Sequence, residues 1–200
     1  MMMNTQVNAQ DAKKLSYRLK HETASEHERM HVLMSKADIF SSKEQYGKFT
    51  LSQYYFQKEI ENLFNTQGIA ELIPDLGIRG RSDQALKDLT DLEIQPQGQK
   101  SQTENIKLPE ALGWIYVSEG STLGAAFLFK EAKEKLGLSE TYAARNLAAY
   151  PEGRAKVWKR FVESLDESGF DTPLQDRVVQ GALDAFEYFG QALIQLKELK

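Results

Sequence analysis

Cysteine is absent from the 200 residues, and that excludes disulfides, thiolate nucleophiles and thiolate metal sites. A chain that needs no disulfide suits a reducing compartment, so a cytoplasmic location is expected. Long apolar runs are also missing, with a mean hydropathy of −0.51 and 27% charged residues. Neither a membrane span nor a secretory leader is expected. The formal net charge of −4 lacks the basic excess that nucleic-acid binding requires. No strand-period alternation, internal repeat, glycine-rich phosphate loop or Gly-x-Ser-x-Gly elbow can be found. Histidine occurs only three times.

What is present is helical patterning nearly from end to end. Two hundred residues suit one domain with a core of adequate size. Met1–Gln10 is polar and expected to be frayed, with the folded domain running over 11–200. Leu15, Leu19, Met30, Leu33 and Met34 recur at helical spacing and predict a first helix from about Asp11 to Lys36. Ser41-Ser-Lys-Glu44 reads as a capping box, opening an aromatic-rich helix to about Gln67. Short pieces follow around Ile69–Leu76, and Ser82 or Asp83 can cap a helix to Leu92. Polar Glu93–Asn105 reads as a mobile surface loop. A long central helix is predicted from near Pro109 to Leu136, with Gly137 as its stop. After a short segment at Ser139–Leu147 come helices at Arg154–Glu167 and, with Thr172 as N-cap, from Pro173 to about Leu199. The fold expected is an all-α, single-domain, irregular bundle of long helices.

The central helix carries an anomaly. Gly120 and Gly124 lie in its interior, where each glycine costs about 1 kcal/mol relative to alanine. At ~100° per residue, Gly113, Tyr116, Val117, Gly120, Gly124 and Phe127 share one stripe. A helix bared along one line can receive something flat. All three histidines, His21, His27 and His31, lie in the first helix, and His27 sits at the edge of its apolar face. A half-buried histidine with one hydrogen bond is the plain reading; a neutral imidazole ligating a metal is the sharper one. A two-metal bundle needs a Glu-x-x-His pair on each of two helices. Glu28-Arg-Met-His31 supplies one, and no histidine follows it. Zinc-peptidase chemistry, which needs His-Glu-x-x-His on one helix, is likewise not expected. A flat metal-bearing macrocycle between the two helices fits the histidine, the glycines and the aromatics together. Residues 1–36 carry six bases against four acids, enough to meet carboxylates at a pocket mouth, although a solvated helix face accounts for the same count.

Leu19-Lys-His-Glu-Thr-Ala-Ser-Glu-His27, followed by Gly113-Trp-Ile-Tyr-Val-Ser-Glu-Gly-Ser-Thr-Leu-Gly-Ala-Ala-Phe-Leu-Phe129, resembles the bacterial, biliverdin-producing haem oxygenases. It is most similar to the Gram-negative group that uses haem as an iron source. The similarity runs from about Asp11 into the last helix, through Gly153-Arg-Ala-Lys-Val-Trp158 and Gln180-Gly-Ala-Leu-Asp-Ala-Phe186. The resemblance implies haem held between the first, proximal helix and the glycine-bearing distal helix. His27 becomes the iron ligand, and Gly120 and Gly124 let the distal backbone approach bound oxygen. Ser121 and Gln57 fall where relatives hold distal water. Lys20 and Tyr116 match positions that contact the propionates, while Val117, Trp158 and Phe186 fall on the pocket wall. It further implies that haem is both cofactor and substrate, that dioxygen is consumed, and that electrons come from a ferredoxin- or NADPH-linked flavoprotein reductase. Biliverdin, carbon monoxide and ferrous iron would be the products.

Two departures qualify the implied roles. Many relatives place a carboxylate four residues after the proximal histidine, where it can fix the imidazole tautomer; this chain has His31. Relatives that open the β or δ carbon lack the lysine at position 20 and carry phenylalanine at 116, with lysines where this chain has Ser35 and Glu131. Lys20 and Tyr116 therefore imply the α isomer. A haem carrier on the same scaffold is the main alternative. A thiamin-degrading enzyme of the related fold commonly needs a catalytic cysteine, which is absent.

Overall fold

A threonine turned back on its own helix shapes the N-terminal part of the bundle. The computed structural model describes residues 14–148 and 150–198, so the expected fraying of Met1–Gln10 lies outside the described residues. The predicted first helix is two helices, α1 (Leu15–Glu22) and α2 (Ala24–Ala37), separated at Thr23. The Thr23 hydroxyl donates to the Leu19 carbonyl at 2.7 Å. Such back-bonding competes with the helical ladder and bends the chain. Leu15 and Leu19 remain fully buried, each contributing about 1.5–3 kcal/mol to folding. Asp166 caps α1 from outside, accepting the Ser16 N–H and hydroxyl, both at 2.9 Å.

The remaining helices are α3 (Lys43–Leu63), α4 (Ile69–Leu72), α5 (Ser82–Asp91), α6 (Glu110–Leu136), α7 (Arg154–Asp166) and α8 (Thr172–Glu198). Several boundaries differ from the sequence pattern for local reasons. The α3 cap is Ser42, which accepts the Gln45 N–H at 3.0 Å. Gln45 donates instead to the carbonyls of Ala37 (2.9 Å) and Leu196 (3.3 Å), tying α3 to the ends of α2 and α8. At α8 the capping side chain is Asp171, accepting the Leu174 N–H at 3.1 Å, and not Thr172. Gly137, at φ 69°, stops α6 as predicted.

Two segments outside the helices are held by buried carboxylates. Glu59 of α3 accepts from Ser101 Oγ (2.8 Å), Gln102 N–H (3.1 Å), Thr103 N–H (3.1 Å) and Thr103 Oγ1 (2.7 Å). The loop expected to be mobile is therefore stapled at its C-terminal half. The short segment Ser139–Leu147 is an irregular turn. Asp88 accepts the N–H groups of Arg145 (2.9 Å) and Asn146 (2.7 Å), and Asp91 that of Ala143 (2.8 Å).

Helix α8 packs against α6, α2, α3 and α1. Its crossing with α6 is made by glycines on both sides. A Cβ on Gly113 would lie 2.0 Å from the Val178 carbonyl oxygen, and one on Gly181 would lie 2.1 Å from that of Glu110. No side chain fits there. Helix α2 also packs along α8: the guanidinium of Arg29 and the methyl of Met30 lie 2.8 Å and 3.0 Å from where a Gly190 Cβ would be. Beneath, Phe56 stands with Trp114 (6.4 Å between ring centroids) and Phe189 (5.3 Å), and Trp114 with Tyr188 (5.6 Å). These offset contacts join α3, α6 and α8. Among the described residues, no helix is long and apolar enough to cross a membrane.

Candidate functional site

Helices α2 and α6 both rest on α8 but pack little on one another, which leaves a cleft between them. They meet at one end, where the half-buried Tyr116 hydrogen-bonds the buried Thr23. Burial pushes the Tyr116 phenol up to about 12, with that hydrogen bond opposing. One turn beyond this meeting point come His27 on α2 and Gly120 on α6; another turn brings His31 and Gly124. Exposure rises along both helices in that direction, with His27, His31 and Gly124 all exposed.

The α6 wall is bare for want of side chains, not because something fills it. A Cβ on Gly120 would meet only the Trp158 ring, at 3.7 Å, and one on Gly124 would meet nothing within 4 Å. Gly113, on the same helical stripe, differs wholly: it belongs to the α8 crossing. Beside Gly124 lies Leu123, 38% exposed, and one turn further Phe127, 76% exposed. Trp158 of α7 stacks beside Tyr116 at 5.6 Å and closes the cleft next to Gly120.

On the α2 wall, the His27 pKa is lowered from its ordinary value, first by partial burial and then by the neighbouring His31, with Glu28 opposing. The imidazole is thus neutral near pH 7 and its lone pair is available to a metal. The His27 and His31 rings stand edge to face with centroids 4.8 Å apart. His27-Glu28-Arg29-Met30-His31 also spells His-Glu-x-x-His, so zinc-peptidase chemistry has to be weighed on geometry. Such an enzyme needs a third protein ligand. Among the described residues no group of three or more His, Cys, Asp or Glu could hold a metal ion, and the peptidase reading fails on that ground.

Behind the bare stripe runs a polar chain. Gln57, buried, donates through Nε2 to Ser118 Oγ at 3.2 Å, and the Ser121 hydroxyl donates to the Ser118 carbonyl at 2.6 Å. Ser118, not singled out by sequence, therefore joins Gln57 to Ser121. Val117 and Phe186 are buried, and Phe186 belongs to the core, its carbonyl facing Arg29. Lys20 is exposed at the last turn of α1. The structure thus groups Tyr116, Gly120, Ser121, Gly124 and Trp158 along one wall and His27 on the other. Gln57 lies one layer behind, and Phe186 lies in the core.

A buried ionic network that the sequence pattern did not reveal backs Gly120. Glu119 is paired with the fully buried Arg79 and accepts the Tyr150 hydroxyl at 3.0 Å. Burial pushes the Glu119 carboxyl up, against the pull of Arg79 and Tyr150. Arg79 also reaches Asp75 at 2.7 Å, and Asp75 reaches Arg160 at 3.0 Å. Arg154 donates to the Thr122 carbonyl at 2.5 Å. A charge buried in the middle of the most apolar helix was the available signal.

These features together can hold a flat, mostly apolar ring bearing a metal at its centre and carboxylates at its rim. The cradle at Gly120 and Gly124 is one that Cβ atoms would fill, and the facing donor is a neutral imidazole. The residues present fit haem. Comparison with known proteins points the same way. A family model described as heme oxygenase matches residues 13–195. The chain is 42% identical over 180 residues to the heme oxygenase PigA of Pseudomonas aeruginosa, covering 89% of this chain and 90% of that protein. The haem oxygenase of Neisseria meningitidis, solved with NO and CO bound, superposes with a TM-score of 0.86 at 34% identity over 94% of both chains. The heme oxygenase-2 of Synechocystis, solved with haem and NO, shares the fold at TM-score 0.71 and 18% identity. It covers 93% of this chain and 86% of that one.

Proposed function

The chain belongs to the haem oxygenase family and is a haem-degrading enzyme, and on that premise we propose that haem binds in the α2–α6 cleft and is opened to biliverdin, carbon monoxide and ferrous iron. The observation that supports the assignment is the pair of interior glycines, Gly124 with open space before it and Gly120 with only the Trp158 edge at ordinary contact distance, on the helix across from the His27–His31 pair. When bound, haem supplies the oxygen chemistry and is itself consumed by it. His27, neutral, gives a nitrogen lone pair to the iron from the α2 side. Gly120 and Gly124 form a steric shelf with no side chain, where a distal acid or imidazole would redirect the oxygen chemistry. Ser121, and Gln57 through Ser118, hold the water that delivers a proton. Lys20 and Tyr116 receive the propionates, fixing the ring's rotation, while Val117, Trp158 and Phe186 confine the ring. With Lys20 and Tyr116 in place, the α isomer is the product.

Electrons come from a ferredoxin- or NADPH-linked reductase, and the role is the use of haem iron in the cytoplasm. The test is to load the chain with haem, add ascorbate or a reductase in air, and follow the Soret band and biliverdin isomers. Loss of the band with biliverdin-α is expected. Intact haem would instead favour a carrier, and a δ product would overturn the roles of Lys20 and Tyr116. His27→Ala should abolish the normal ligation spectrum while His31→Ala only retunes it; the reverse order would refute the ligand assignment.

A further inference from the structure

We propose that in the haem-free chain His27 and His31 chelate one divalent transition-metal ion, and that this ion competes with haem. The competition rests on the reading of His27 as the iron ligand; the chelate does not. The two residues are four apart on α2 and so share a helix face. Two imidazoles bound to one ion at about 2.0–2.1 Å, with an angle of roughly 90–110° at the metal, place their ring centroids roughly 4.5–5.2 Å apart. The observed separation is 4.8 Å, with the rings inclined at 68°. Little rearrangement beyond ring rotation is required.

The surroundings permit it. Both residues are exposed, and neither ring makes a hydrogen bond among the described residues. The nearby cation Arg29 is already paired with Glu26 and Glu187, while Glu28 adds an attractive negative charge. With no third His, Cys, Asp or Glu in reach among the described residues, water completes the coordination. The site is therefore an open, two-nitrogen one. Its preference follows the Irving–Williams order, with copper(II) held tightest and zinc and nickel next. A carboxylate at position 31 would not make this chelate of two neutral nitrogens, so the site is a property of this sequence.

The experiment titrates the haem-free full chain with zinc by calorimetry and with copper(II) by electron paramagnetic resonance. It compares wild type with His27→Ala, His31→Ala and His21→Ala. One ion per chain is expected, with a two-nitrogen copper spectrum. Binding should weaken on the order of tenfold or more in each of the first two variants and stay unchanged in the third. Binding that survives both substitutions, or that depends on one histidine alone, overturns the chelate. In a second arm, one equivalent of zinc is added before haem. Slower growth of the Soret band in wild type, relieved in His31→Ala, is expected. Haem loading at an unaltered rate, despite zinc held by both histidines, overturns the competition and the ligand role of His27 while leaving the chelate standing.

Discussion

Three glycines on one stripe of α6 should respond to alanine in opposite ways. At Gly124 an added methyl meets nothing, and at Gly120 it meets one Trp158 edge at ordinary contact distance, 3.7 Å. Neither position requires a left-handed backbone, so alanine removes a helix penalty of up to about 1 kcal/mol at each. For a chain of this length that is a rise of about 2–4 °C in melting temperature per substitution. At Gly113 the methyl would lie 2.0 Å from a carbonyl oxygen and 2.5 Å from an amide nitrogen of α8. Both are backbone atoms that cannot swing away, so overpacking costs about 1–3 kcal/mol or more and the melting temperature falls. Turnover should sort differently. Gly120→Ala and Gly124→Ala fill the cleft and slow haem degradation by about tenfold or more, roughly 1.4 kcal/mol in the barrier. Calorimetry on the haem-free variants, paired with single-turnover assays, reads both quantities. If Gly120→Ala and Gly124→Ala destabilise the haem-free chain as Gly113→Ala does, they are packing glycines and the cleft argument fails.

Further outcomes follow from two partnered carboxylates, the half-buried Asp75 and the buried Glu59. Burial raises the Asp75 pKa, but Arg79 and Arg160 outweigh it and hold the group below its ordinary value. Its contribution is present at neutral pH and lost as pH falls through the lowered value. Asp75→Asn should therefore cost about 1–3 kcal/mol at pH 7, and the acid-unfolding curves of variant and wild type should begin to approach one another below about pH 4 and converge only below the lowered value; a constant offset would refute the charge pairing. Glu59→Ala should speed amide exchange at Gln102 and Thr103 by roughly ten- to hundredfold while leaving the α6–α8 core protected. Equal acceleration everywhere would show that the staple supports the whole fold.

Much of this arrangement was legible in the residues. Periodicity located the long helices, and interior glycines flagged α6 before any neighbour was known. Periodicity could not divide Gly113 from Gly120, because the stripe is a property of one helix and the distinction lies in which backbone stands opposite. The Arg79–Glu119–Tyr150 network joins residues 31 to 71 apart, beyond any local pattern. The α1–α2 break was hidden because Thr23 acts through its hydroxyl on Leu19, while the hydrophobic spacing continues through it. Caps at Ser42 and Asp171 were misplaced by one residue because adjacent side chains offered equivalent acceptors. Glu59 stapling a polar loop is invisible to composition, which registers the loop's polarity and not its partner.

The meeting of Thr23 and Tyr116 at one end of the cleft has a mechanical consequence. From Tyr116 to Gly124 is eight residues, a lever of about 12 Å at 1.5 Å per residue. A rotation of about 5° at the fulcrum moves the Gly124 end by about 1 Å, a displacement large enough to cost on the order of a hundredfold in rate. On the proposed reading of Gly120 and Gly124 as the shelf, its alignment is therefore governed from a contact one to two helical turns away.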